Sequence, residues 1–164
     1  MTLPPHTPCI VVGYDGSAPS RAAVRLAAAR AHGGKLFIVH AYHAPPDFWG
    51  TEEYEDLLER ALYRGRSILA GIADDADLGL ANVDYDVELI AGRPAEVVAR
   101  VAQTRRADEI VVGTRGFGKV RAVLGSVAHE LLHEASCPVT AIPVRALDPS
   151  VDAERPVGRE SVAG

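Results

Sequence analysis

The sequence predicts an α/β fold: one open, parallel, five-stranded sheet of Rossmann-like form, order 3-2-1-4-5, with helices on both faces. Three observations carry this. Short β-branched runs alternate with alanine-rich or amphipathic stretches along the chain, the signature of a parallel sheet crossed by helices. The third run alternates apolar and acidic residues, which marks a strand with one wet face at a sheet edge. The chain has 164 residues, 48% of them apolar and 24% charged, enough for one domain with a sizeable core.

The elements follow in order. "CIVVGYD" (9–15) is a buried strand closed by the turn "DGS". Residues 17–32 form an alanine-rich helix, with Ser17 at its N-cap, Pro19 in its first turn, and Gly33 and Gly34 ending it. "KLFIVHAYH" (35–43) is the second strand and 44–51 a loop. Tyr54, Leu57, Leu58, Ala61, Leu62, Ile68, Leu69 and Ile72 then recur at helical spacing. "VDYDVEL" (83–89) is the wet strand, and Pro94 opens a helix over 95–107. "DEIVVG" (108–113) is the fourth strand; a glycine-rich loop, the helix "SVAHELLHEAS" and the strand "CPVTAIPV" (137–144) complete the unit. The organisation is therefore an N-terminal extension (1–7), one α/β domain (8–144), and a tail (145–164) whose few apolar residues and lack of period predict disorder.

Composition removes several function classes. A net charge of −5 opposes general nucleic-acid affinity, which needs basic surface. No stretch approaches the ~20 apolar residues of a membrane span, and no signal-peptide run opens the chain, so the expected location is cytoplasmic. Cys9 and Cys137 belong to no metal or redox motif and are expected as buried strand thiols.

In a sheet of this order, ligands bind at the reversal between strands 1 and 4, beyond their carboxyl ends. Two turns meet there: "GYDGS" (Gly13, Tyr14, Asp15, Gly16, Ser17) and "GTRGFGKVRAVLGS" (113–126). The second holds four glycines, Arg115, Lys119 and Arg121, no acid, and Ser126 at a helix start, as an N-cap or as a hydroxyl for a ligand. Exposed backbone amides, a helix N-terminus and basic side chains favour a polyphosphate. The loop is not a P-loop: Gly113, Gly118 and Lys119 fit, but Val120 replaces the hydroxyl that holds Mg²⁺.

The stretches "VVGYDGSAPSRAAV" and "VVGTRGFGKVRAVLGSVAHELLHEASCPVTAI" resemble the universal stress protein family over about residues 8–144. The first fits that family's D-G-S-x-x-S-x-x-A opening at Asp15, Gly16, Ser17, Ser20 and Ala23; the second is similar to its G-x-x-G, spacer, G-[ST] nucleotide signature. The resemblance implies a homodimer paired through strand 137–144, near Val139–Ile142, and an ATP-type ligand (ATP, ADP or AMP, with or without Mg²⁺). It assigns Asp15 to the base and ribose, Ala41 to the adenine, and Gly113, Gly116, Gly125, Ser126 and the Val127 amide to ribose and phosphates. Thr114 and Arg115 lie between the first two glycines. The spacer Phe117–Leu124 has eight residues where ATP-binding relatives have nine.

The expected function is an adenine-nucleotide-binding stress-response regulator with an unidentified protein partner. The sequence supplies cradle donors but no base, so hydrolysis is at most slow and no residue is assigned a catalytic role. Two alternatives stay open: a nucleotide-independent interaction module, favoured by the short spacer, and a metal-dependent hydrolase using His129, Glu130 and His133, which spell H-E-x-x-H. The second needs a third ligand and an open cleft beside the helix, whereas the Val127, Leu131 and Ala135 side should face the sheet and leave the histidines in solvent.

Overall fold

The computed structural model describes residues 6–46, 52–114 and 125–143. Its elements are β1 (Cys9–Gly13), α1 (Ala18–Arg30), β2 (Lys35–Tyr42), α2 (Glu52–Ala73), a 3₁₀ turn (Ala76–Leu78), β3 (Asp84–Ala91), α3 (Pro94–Arg105), β4 (Glu109–Gly113), α4 (Ser126–Glu134) and β5 (Val139–Ile142). All strand pairs are parallel and the order is β3-β2-β1-β4-β5, as expected from the sequence.

Strand periodicity divides the core into two layers. Ile10, Val12, Leu36, Ile38 and Val111 face one side, where Ala23, Val24, Ala27 and Ala28 of α1 and Ile72 of α2 cover them. Val11, Phe37, Val39, Ile110 and Val112 face the other, beneath Val97, Val98 and Val101 of α3 and Ala128 and Leu131 of α4. Central strands covered on both sides need continuous apolar runs, and β1, β2 and β4 have them.

The ends of the elements have local causes. The Ser17 side chain accepts from the Ser20 N–H and caps α1, with Pro19 in the first turn. Gly34 follows the helix where a Cβ would lie 1.9 Å from the Pro8 carbonyl oxygen. On edge strand β3, Asp84 and Asp86 pair with Lys35 at 2.6 and 3.2 Å, and Glu88 pairs with Arg105 at 2.9 Å.

The structure adds detail in α2 and before β3, and corrects the sequence expectation at β5 and at both cysteines. In α2 only Gly65 and Ile72 are buried, and Leu57 is 45% exposed, because it sits at the margin of the apolar stripe in the half of the helix that buries nothing. A 3₁₀ turn, Ala76–Leu78, precedes β3. Strand β5 spans only Val139–Ile142 within the expected 137–144, with Pro143 directly after it, since proline cannot donate to a ladder. Cys137 therefore precedes the strand, and both thiols are half-buried and free rather than buried. Burial still pushes both thiols above the usual cysteine range. The expected disordered tail, 145–164, lies outside the described residues.

At Gly113 the end of β4 meets the first turn of α1. A Cβ there would stand 2.7 Å from Pro19 Cβ, 2.9 Å from the Pro19 carbonyl carbon and 3.0 Å from the Ser20 nitrogen. Backbone cannot yield as a side-chain tip does. Gly113→Ala is expected to lower unfolding free energy by about 1–3 kcal/mol through overpacking. Urea denaturation measures this, and an unchanged midpoint would show that α1 gives way freely.

Candidate functional site

The crevice forms where β1 and β4 end side by side and their following turns diverge. Tyr14 continues β1: its N–H donates to the Val39 carbonyl at 2.9 Å, and its carbonyl accepts from His40 Nδ1 at 2.7 Å. A carbonyl only accepts, so Nδ1 donates this bond. The Tyr14 ring is 4% exposed and packs into the core. Its hydroxyl meets Arg21, which also pairs with the nearly buried Asp75, and burial pushes the phenol above the usual tyrosine range.

Asp15 follows in a turn held from three sides. Its N–H donates to Ser20 Oγ at 3.3 Å, and its Oδ1 accepts from the Ser17 N–H at 3.0 Å and the Ser17 hydroxyl at 2.5 Å. Ser20 Oγ in turn donates to the Ser17 carbonyl at 3.0 Å. Among the described residues both bonds to the carboxylate fall on Oδ1, which sets its rotamer and leaves Oδ2 to another donor.

The opposite wall comes from the start of α4. Thr114 N–H donates to the Ile142 carbonyl at 2.8 Å, and the Gly125 N–H donates to the Thr114 carbonyl, so the flanks of segment 115–124 are tied together. Gly125, not Ser126, is the N-cap, since its carbonyl accepts the first helical bond, from the His129 N–H at 2.9 Å. Ser126 is the first helical residue and is exposed. The N–H groups of the first turn have no acceptor inside the helix and carry its positive dipole end.

Of the residues singled out from sequence, Gly13, Tyr14, Asp15, Ala41, Gly113, Thr114, Gly125, Ser126 and Val127 line one cavity of about 180 Å³. Ser17 lies behind it, 4% exposed, as the group that sets Asp15. Arg115 and Gly116 fall outside the described residues. Ser20, Val39, His40, Pro94, Val98, Val112 and Ala128 also line the cavity and were not singled out as site residues. The turn "GRP" after β3 is the signal for Pro94 and Val98, because α3 opens over the same reversal. Val39, Ala41, Val98 and Val112 make an apolar floor between a carboxylate and a helix N-terminus. Such a surface suits a flat apolar ring system joined to polar and anionic groups. The cavity is below the roughly 300–1,000 Å³ of common ligand sites, and residues 115–124, between two of its lining residues, are not among those described.

The H-E-x-x-H helix presents a different picture from a zinc hydrolase. His129 and His133 are exposed, while Val127, Leu131 and Ala135 pack toward the sheet. Glu130 accepts from Arg93 at 3.0 Å. Among the described residues no group of three or more His, Cys, Asp or Glu side chains is placed to hold a metal, and no helix is long and apolar enough to cross a membrane.

Comparison with known proteins agrees with this geometry. The family model described as "Universal stress protein family" matches residues 9–143. A universal stress protein from Thermus aquaticus is 41% identical over 137 residues, covering 81% of this chain and 96% of that protein. Among solved structures, a universal stress protein in complex with cAMP superposes with a TM-score of 0.63 at 28% identity, covering 82% of this chain and 96% of the other. A family protein from Arabidopsis thaliana with AMP bound shares the fold, with a TM-score of 0.56 at 19% identity over 83% of this chain and 91% of that one.

The capped turn generates a test of its own. Ser17→Ala removes both the α1 cap and the hydroxyl on Asp15, and is expected to cost about 0.5–2 kcal/mol of stability. Ser17→Thr should retain most of it. If alanine were neutral in chemical denaturation, the turn would not depend on this hydroxyl.

Proposed function

The chain belongs to the universal stress protein family, and on that footing we propose that the crevice between β1 and β4 binds an adenine nucleotide. The observation that carries this is the placement of Asp15 and the first turn of α4 on either side of one apolar floor. In this reading the adenine lies on Val39 and Ala41, Asp15 Oδ2 accepts from a ribose hydroxyl, and the phosphates meet the N–H groups of Ser126 and Val127 with the Ser126 hydroxyl. Thr114, Arg115 and Gly116 would extend the phosphate side, with Mg²⁺ accompanying the longer nucleotides. The cAMP complex of a relative at 28% identity supports the ligand class.

In this reading the protein is a cytoplasmic stress-response regulator that acts through binding, with any hydrolysis slow. A second reading, an interaction module that binds no nucleotide, is favoured by the small cavity and the eight-residue spacer.

Calorimetric titration with AMP, ADP and ATP separates these readings. Asp15→Ala should weaken all three alike, because its contact lies at the ribose. Ser126→Ala should cost about 1.5–3 kcal/mol, roughly ten- to a hundredfold, with the loss growing from AMP to ATP. No heat with any nucleotide at millimolar concentration would replace the first reading with the second.

We also propose a homodimer through β5. It is an end strand whose outer edge invites pairing with another chain, and the following Pro143 limits that pairing to Val139–Ile142. Sedimentation at micromolar concentration should give a dimer, and a monomer would contradict the assignment.

A further inference from the structure

The nucleotide reading leaves one feature of α4 unused. His129 and His133 lie one helical turn apart, both exposed, with ring centroids 5.1 Å apart and edge to face. Residues at this spacing share a helix face. An ion held at about 2.0–2.1 Å by one nitrogen of each ring needs those nitrogens about 3.3 Å apart in a tetrahedral site. Two histidines at i, i+4 on one helix face are a spacing that holds a single Zn²⁺ in helical metal sites. Glu130 does not compete, because Arg93 holds it at 3.0 Å while pairing with Glu96 at 2.7 Å.

We propose that His129 and His133 form a two-imidazole site for a borderline divalent transition ion such as Ni²⁺, Cu²⁺ or Zn²⁺, with water in the remaining positions. Imidazole nitrogen selects these ions over Mg²⁺ and Ca²⁺, which prefer oxygen. The site binds the helical state of the chain better than the unfolded one, so occupancy stabilises the fold. The gain falls on a short element: α4 has nine residues and buries only Ala128 and Leu131. A clasp over its second and third turns steadies the first turn, Ser126–Ala128, which walls the crevice. The proposal stands apart from nucleotide binding and does not require it.

The experiment titrates the untagged, full-length chain with Ni²⁺ and Mg²⁺, by calorimetry and by thermal unfolding, alongside His129→Ala and His133→Ala. Both residues are exposed, so both variants should fold. Expected are one saturable Ni²⁺ site in the wild type, none for Mg²⁺, and affinity about tenfold weaker or worse in each variant. The Ni²⁺-dependent rise in melting temperature should disappear in both. Cu²⁺ should show two equatorial nitrogens by electron paramagnetic resonance in the wild type and one in each variant. Metal-free His133→Ala should bind nucleotide as the wild type does, or as poorly. Two results would overturn the proposal: no saturable Ni²⁺ site up to millimolar metal, or a site equally strong in both variants.

Discussion

The missing side chain at Gly113 sets how closely β4 approaches α1, and the crevice depends on that distance. The backbone of Pro19 and Ser20 occupies the volume a Cβ would need. Because Ser20 also holds the Asp15 N–H, the same contact brings the turn after β1 against the end of β4. Thr114, one residue on, receives the Gly125 N–H and so locates the start of α4. One close approach thus places the carboxylate and the helix N-terminus relative to each other.

The groups around this contact are ordered before any ligand arrives. Ser17 and Ser20 fix the Asp15 turn, His40 and Val39 fix Tyr14, and the Arg21–Asp75 pair anchors the Tyr14 ring. A site whose polar groups are already held loses less side-chain freedom on binding, so more of each contact appears as affinity. The same bonds spend several hydroxyls on the scaffold. Ser17 serves Asp15 and α1, whereas Ser126 stands exposed at the cavity wall.

Much of the fold was legible in the sequence because its signals were redundant. Alternation of runs gave the parallel class, the acid–apolar alternation of β3 gave an edge, and the two glycine-bearing turns marked the reversal. Boundaries were less legible where packing decides. Leu57 carries helical spacing yet faces outward, since periodicity registers a stripe and not how much sheet lies beneath each turn of it. Cys137 reads as strand, but the ladder starts at Val139. Ser126 resembles a cap, but the carbonyl of Gly125 takes the first helical bond. Of the residues read on the two signature turns, Gly13, Tyr14, Asp15, Gly113, Thr114, Gly125 and Ser126 line the crevice. The floor residues Val39, Val98 and Val112 were hidden, because a valine facing a ligand and a valine facing the core are alike in sequence. His40 lies beside Ala41 on the strand, but its bond to the Tyr14 carbonyl depends on register between β1 and β2, which local pattern does not reveal.

The central claim is that one crevice brings the carboxylate of Asp15 and the amides of the first turn of α4 to a single adenine nucleotide. Amide chemical-shift mapping of the ¹⁵N-labelled chain during titration with AMP tests it residue by residue. The account predicts saturable shifts at Asp15, Ala41, Ser126 and Val127 with one common dissociation constant, and none of comparable size on α2 or at Asp84–Glu88. Shifts confined to another surface, or none at millimolar AMP, would contradict it.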